Sequence, residues 1–544
     1  MPPYIDKTTD PVKFETWRPQ IELAQKRLKD SLVADFVVPQ SDLPGDSVLD
    51  VSTFPAKVMS PAELKITETD ASTLVLEMGS GKLSAKTVLD AFMKRATIAH
   101  QLLNCATEFL ADEAYERAKL LDEYVQTYGK PIGPLHGLPM SIKEHVSIKN
   151  RVTNAGFVAL LNNVTPEDAT TVSILRSLGA IPFVRTNEPQ SLMHQDSCNY
   201  ITGVTLNGFN RKLSPSGSSG GEGALIGFKG SVMGVGTDIG GSIRSPAAFN
   251  GCYGLRPTAG RVSSRGCISA GGGQESVKSS IGPLAQHLSD IELFMSSYVG
   301  AKPWLQDATL YRIPWKKVDV DKQLTVGIMR SDGVVKPHPP ILRGLEFVEK
   351  KLIEAGVKVV EWEPYKCDEL WEIVSSMYFA DGCAAQNKLL GASGEPIHPL
   401  TAMAFSFGKG ELTVSENQEL NYRRDEFRNK YQQLMIERGV DVILCPAYVG
   451  VAAELGTTSY WGYCSHWNLL DQPGLVFPTG LYQDPVVDKV DPRTEYWNLT
   501  DEKESQKYVP NVFKGAPIAL QLVSQRYEDE FLLAAGKIIT ECLR

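Results

Sequence analysis

Apolar residues recur at helical spacing in three stretches near the start of the chain. Residues 19–32 read as an amphipathic helix. Ser84 is a candidate N-cap for a helix over 85–95, where Val88, Leu89, Phe92 and Met93 share one face. A third helix is expected over 112–128, stopped by Gly129. Beyond it the pattern changes. Short apolar runs at 138–142, 181–184, 324–329, 357–362 and 440–444 alternate with helical patterns at 170–178 and 340–355. Strands alternating with helices predict an α/β fold with a large mostly parallel or mixed sheet, covered by helices on both faces. Residues 298–320 carry Pro303 and Pro314 and read as a connection. No fixed-period repeat and no clean linker is visible, so the 544 residues are read as one large α/β domain with a helical N-terminal layer.

Charge narrows the partners. With 55 Lys and Arg against 64 Asp and Glu the net charge is −9, which gives no basic footprint for nucleic acid. No run of 18 apolar residues suggests a membrane span, and Met1-Pro-Pro-Tyr-Ile-Asp-Lys7 is not a secretory leader pattern. Nine cysteines stand singly, without CxxC pairs, which argues against a disulfide framework and against a zinc site. The chain reads as cytoplasmic.

The least ordinary segment runs from Ser214 to Pro246. Between Gly217 and Gly241 there are 10 glycines in 25 residues, yet 224–226 and 232–235 are largely apolar. A flexible linker is therefore excluded, and close backbone packing or approach to a ligand is expected. The segment has no Gly-Lys-Ser/Thr for a P-loop, and Ile239 stands where GxGxxG needs its third glycine. Gly217-Ser-Ser-Gly-Gly221 fits a nucleophile elbow, but a polar stretch precedes it and neither His287, His338, His398 nor His466 has a persuasive context. A serine nucleophile without histidine needs another base. Lys143 closes an apolar run, and a buried lysine loses proton affinity. Gly240-Gly241 before Ser242 allow backbone N–H groups to converge as an oxyanion hole requires, and residues from Ile243 onward could open a helix. An ordinary tight turn fits that spacing equally well.

Taken together, Gly133-Pro-Leu-His-Gly-Leu-Pro-Met-Ser-Ile-Lys143, Gly217-Ser-Ser-Gly-Gly-Glu-Gly-Ala224, Gly234-Val-Gly-Thr-Asp-Ile-Gly-Gly-Ser-Ile-Arg244 and Tyr253-Gly-Leu-Arg-Pro257 resemble the amidase signature family. The likeness is dense over about 131–285 and thinner toward Gly515-Ala-Pro-Ile-Ala-Leu-Gln521; residues 1–60 are scarcely covered. The resemblance implies residues 1–60 as an N-terminal helical extension and 61–544 as a single amidase-signature domain. It implies an acyl-enzyme amidase that converts an amide to a carboxylate and ammonia, without cofactor or metal. Ser242 would be the nucleophile, Ser218 the bridging serine on a cis peptide after Gly217, and Lys143 the base. Backbone N–H groups of Ile239, Gly240, Gly241 and Ser242 would hold the oxyanion. Asp238 and Arg244 match a supporting ion pair, Thr237 and Ser219 supporting hydroxyls, and Leu192 a pocket wall. Ser216 departs from the family, which often has glycine there.

Within the family, Pro337-His-Pro-Pro-Ile-Leu-Arg-Gly344, Glu361-Trp-Glu-Pro-Tyr-Lys366 and Asn468-Leu-Leu-Asp471 resemble fungal acetamidases and general amidases. The expected partner is a small-molecule amide, with no nucleic acid and no membrane span; a homodimer stays open. Two alternatives share the core: a fatty-acid-amide-type hydrolase, and a non-catalytic scaffold or amidotransferase A-type subunit. The intact Lys143, Ser218 and Ser242 favour the enzyme. Among further candidates, His145 would share a side with Lys143 on an alternating strand but more simply packs or meets solvent. Cys198 reads as an inert thiol, Trp461, Trp467 and Phe477 as pocket wall or core, and Glu222 as a structural partner.

Overall fold

The computed structural model describes residues 9–320 and 323–544. Its strands are β1 (Ala106–Phe109), β2 (Pro139–Lys143), β3 (Ile181–Thr186), β4 (Cys198–Asn199), β5 (Gly203–Val204), β6 (Met233–Asp238) and β7 (Tyr253–Arg256). They continue with β8 (Ser280–Ala285), β9 (Thr325–Ile328), β10 (Lys358–Glu361), β11 (Val442–Pro446), β12 (Gly474–Tyr482) and β13 (Pro517–Val523). Eleven of them form one sheet in the order β1-β3-β2-β6-β8-β7-β12-β13-β11-β9-β10, and β4 and β5 form a separate hairpin.

The sheet is mixed. Its two wings are parallel, β3-β2-β6 on one side and β11-β9-β10 on the other. The strands between them, β8, β7, β12 and β13, are antiparallel to their neighbours. Every residue of β2, β3, β6, β8, β11 and β13 is buried, as expected of strands covered on both faces. At one edge, β10 turns Lys358 and Glu361 to solvent, a charged rim that discourages pairing with another chain.

Local signals for helices translate directly. Ser84 Oγ accepts the Thr87 N–H at 3.0 Å, and the helix it caps runs over Ala85–Leu103, well beyond residue 95. Nothing breaks the apolar face there until Asn104 adopts φ 51°. The next helix, Ala111–Tyr128, stops at Gly129 with φ 63°. Near the N-terminus the helix Arg18–Asp30 follows a short Pro11–Glu15 helix. Phe14 and Ile21 from these two, with Trp17 between them, pack on Val158, Leu161 and Ile201. Residues 306–320 form no helix or strand, which makes them the connection into the second parallel wing.

In open α/β sheets, sites form where parallel strands end at their carboxyl termini. Lys143 is the last residue of β2 and Asp238 the last of β6, two adjacent parallel strands. The Gly-rich segment fills the crevice beyond them with the helix Gly220–Gly227. Gly234 is required for this packing, because a Cβ there would collide with the Glu222 carboxylate and Ser141 Oγ.

Candidate active site

Lys143 Nζ lies 2.6 Å from Ser218 Oγ and 3.1 Å from Thr237 Oγ1, and its side chain is fully buried. Burial pushes its pKa down from 10.5 to about 8, against the pull of Glu188, Asp238 and Glu222. None of those carboxylates forms a salt bridge with it among the described residues. The Asp238 carboxylate is committed to Arg244, with Nε–Oδ2 and Nη2–Oδ1 both at 3.0 Å. Burial alone would raise the Asp238 pKa; the guanidinium overrides this and holds the carboxyl well below its usual range. Burial raises Glu222 to about 7 despite hydrogen bonds from Ser141 Oγ (2.5 Å) and Thr186 Oγ1 (2.8 Å). Burial, then Glu144, lifts Glu188 well above the ordinary carboxyl value. The surroundings of Lys143 therefore supply little fixed negative charge to keep it protonated.

The peptide bond between Gly217 and Ser218 is cis. Ser216 before it sits at φ 65°, in the left-handed region that glycine adopts without cost, which gives a physical reason for the family's glycine at this point. Ser219 N donates to Ser242 O at 3.1 Å, so the two serine segments are stitched together. Ser218 and Ser242 retain 3% and 7% exposure, whereas Ser219 has none. The Ser219 hydroxyl faces the Thr237 backbone at 3.3 Å, accepting from its N–H or donating to its carbonyl, and no strand leads into it. The nucleophile-elbow geometry is absent.

Residues 239–242 are oriented by groups far away in sequence. Tyr378 OH donates to Ile239 O at 3.0 Å, and Gln195 Nε2 donates to Gly240 O at 2.8 Å. In a trans peptide the N–H points opposite to the C=O. Gly240 N–H is thereby turned away from Tyr378, and Gly241 N–H away from Gln195, into Asp238 Oδ1 at 2.8 Å. Gly241 N–H is thus occupied. The N–H groups of Ile239, Gly240 and Ser242 have no protein acceptor among the described residues. Asp238 Oδ2 also accepts from Ile243 N (3.1 Å) and Arg244 N (3.4 Å), which caps the six-residue helix Arg244–Phe249. The positive end of that helix is spent on Asp238. Asn468 and Gln521 complete the shell of Arg244.

Above this loop stands an aromatic wall. A Cβ on Gly240 would lie 2.9 Å from Tyr378 OH and 3.2 Å from Trp461 Cε3. The Trp461 ring contacts Tyr378 at 5.8 Å and Phe407 at 5.3 Å. Trp467 and Phe477 are core residues, the former against Tyr431. Leu192 lies in the tight turn Gln190–Leu192 at φ 64°, on the segment that Gln195 ties to Gly240. Burial raises the Cys198 thiol to about 11, which leaves it unreactive near neutral pH. Tyr378 and Gln195 were not visible as site residues in the sequence, since no motif surrounds either. Among the described residues no cluster of three or more His, Cys, Asp or Glu is arranged for a metal.

Gly241 has φ 114°, and a Cβ would meet Cys464 Cβ at 2.6 Å. Gly241→Ala is expected to displace the loop and lower kcat by about 10²–10³-fold, the scale of losing one oxyanion donor. Steady-state kinetics with a thermal melt checks this; a variant within threefold of the parent would show that the loop geometry is not needed.

The amidase family model matches residues 87–533. An acetamidase of Emericella nidulans is 39% identical over 515 residues, covering 92% of this chain and 93% of its own. An acetamidase of Aspergillus oryzae is 37% identical over 502 residues, covering 89% and 92%. A solved fatty acid amide hydrolase superposes with a TM-score of 0.97 at 42% identity, covering 99% of this chain and 97% of that one. The family model and these full-length matches agree with the fold and with the Gly/Ser crevice: the chain belongs to the amidase signature family and is an amide hydrolase.

Proposed function

We propose that Ser242, Ser218 and Lys143 form the catalytic triad of this amidase, and that it acts on a small-molecule amide with an apolar acyl group, in the manner of an acetamidase. The observation that carries the reading is a fully buried Lys143 amine 2.6 Å from Ser218 Oγ with no carboxylate bound to it. An amine so placed is available as a base near neutral pH.

In this mechanism neutral Lys143 takes the Ser218 hydroxyl proton while Ser218 Oγ takes that of Ser242. Ser242 Oγ forms a bond to the amide carbon, and the carbonyl electron pair moves onto oxygen. The N–H groups of Ile239, Gly240 and Ser242 stabilise this oxyanion, with Gly241 supporting the loop through Asp238. Collapse breaks the C–N bond, and the proton returns from Lys143 through Ser218 to the departing nitrogen, releasing ammonia. Water then attacks the acyl-enzyme along the same proton path, giving the carboxylate. Ser219, Thr237, Asp238 and Arg244 act as supports.

The acyl group would lie against Leu192, Ile239 and Trp461. A second reading, hydrolysis of long-chain fatty amides, is favoured by the 42%-identical solved structure that carries that name. A series of acetamide, hexanamide, benzamide and oleamide separates the two. Acetamidase-like specificity predicts kcat/KM falling by at least about tenfold from hexanamide to oleamide, about 1.4 kcal/mol. A steady rise with chain length would establish the second reading, and no turnover of any amide would end both. Singly scattered cysteines support a reducing, cytoplasmic setting, and no helix among the described residues is long and apolar enough to cross a membrane.

A further inference from the structure

His145 is a buried titratable group, one hydrogen bond removed from Lys143 through Thr237, that the mechanism above does not use. It follows Lys143 by two residues, beyond the end of β2, in a turn held at both backbone atoms. Its N–H donates to Glu188 Oε2 at 3.3 Å and its carbonyl accepts from Ile268 N at 2.9 Å. The ring is held as firmly. Nδ1 lies 2.9 Å from Ile268 O, and Nε2 lies 2.9 Å from Thr237 Oγ1. Thr237 Oγ1 is in turn the second partner of the Lys143 amine, at 3.1 Å.

These contacts have only one consistent direction. A carbonyl oxygen cannot donate, so Nδ1 must carry a hydrogen toward Ile268. Burial, reinforced by the neighbouring Lys143 charge, lowers the His145 pKa to about 3, so the ring is neutral and Nε2 holds a lone pair. Thr237 then spends its single hydroxyl hydrogen on Nε2. With that hydrogen gone, Thr237 Oγ1 can only accept from Lys143, whether the amine is charged or neutral. A neutral amine has two N–H bonds and one lone pair, and the contact toward Thr237 is closed to the lone pair. The remaining contact is Ser218 Oγ.

We propose that His145 is a positioning residue: through Thr237 it dictates the hydrogen-bond direction at Lys143, so that the amine lone pair faces the Ser218 hydroxyl proton. The proposal rests on the reading of Lys143 as base. It gives the role of Thr237 a direction and assigns a function to a histidine whose ring contacts are Ile268 and Thr237. Without the Nε2 acceptor, the Thr237 hydroxyl is free to donate to Lys143, which holds the lone pair away from Ser218 and stabilises the uncharged amine.

The test is the pH profile of kcat/KM for the best amide substrate. The groups facing Lys143 and His145 are Glu144, Arg185 of β3, Glu188, Glu222 of the helix Gly220–Gly227, Asp238 of β6 and Cys267, and all are kept in the variants. His145→Leu should lower the high-pH plateau by about tenfold, the scale of one misdirected hydrogen bond. It should also move the ascending limb to lower pH. His145→Gln, whose amide oxygen can replace Nε2 as acceptor, should recover most of both. A purely structural role predicts a lower plateau with an unmoved limb and no preferential rescue by Gln. An unchanged plateau and limb in His145→Leu would overturn the proposal. If the leucine variant does not fold, His145→Asn gives the same comparison, since it keeps a donor toward Ile268 but is too short to reach Thr237. Lys143→Met separates this from failure of the base itself. If that variant keeps the ascending limb, Lys143 is not the base. If it loses the limb while His145→Leu behaves as the parent, only the positioning role falls.

Discussion

Ser242→Ala is expected to fold normally and to lose turnover by about 10⁶-fold, the scale measured when a serine nucleophile is removed from a hydrolase. Ser242 retains 7% exposure, and its backbone carbonyl, which the substitution keeps, holds the Ser219 N–H. Alanine therefore removes the oxygen proposed to attack and leaves the stitching intact. A fluorophosphonate probe should label the parent at Ser242 and leave the variant unlabelled. Peptide mapping that found the label on Ser219 would overturn the assignment. That outcome would need a fully buried hydroxyl to give up its contact with the Thr237 backbone.

Lys143→Met is expected to remove activity and raise stability together. Proton transfer by a positioned base contributes about 10²–10⁴-fold, so acylation should fall by at least that range. In the parent, activity should climb as pH rises through about 8, because only the neutral amine can accept the Ser218 proton. The stability effect has the opposite origin. The unfolded amine titrates near 10.5 and the folded one near 8. Below pH 8 both states are protonated, and the fold carries the full cost of a buried charge. That cost shrinks between 8 and 10.5 and vanishes above. The gap corresponds to about 3 kcal/mol at neutral pH. Methionine, which keeps the stem and loses the amine, should recover up to that amount in denaturant titrations at pH 7 and almost nothing above pH 10.5. Near-normal turnover, or a variant less stable at pH 7, would count against a desolvated base.

Of the site, the residues proposed for the covalent chemistry were legible because they sit in short, unusual strings. Gly240-Gly241-Ser242 and the apolar run ending at Lys143 stand out in local pattern, but each alone also fits an ordinary turn or strand end, and only the family likeness joins them. Their orientation was not legible. Tyr378 and Gln195 set the direction of the peptide units at 239–241 from 139 and 45 residues away. Only with both in position does it become apparent that Gly241 N–H belongs to Asp238. The helix after Ile243 was readable, but not that Asp238 would occupy its positive end.

The amino-acid sequence by itself determined the elements with strong local signals. These are the Ser84-capped helix, the Gly129 stop, the apolar strands that pair in parallel, and the triad candidates at Lys143, Ser218 and Ser242. The helix, the stop and the strands depend on propensities and periodicities that act within a few residues, and the triad as a set on the family likeness of the strings that hold it. Tertiary structure alone decided the antiparallel centre of the sheet, the aromatic wall of Tyr378, Trp461 and Phe407, and the role open to His145. That histidine looks like ordinary packing until Ile268, 123 residues away, supplies the carbonyl that fixes its tautomer. Hydrogen-bond direction depends on which groups meet in space, and for His145, Thr237 and Lys143 that meeting is made by the packing of β2 against β6 and by the loop that carries Ile268.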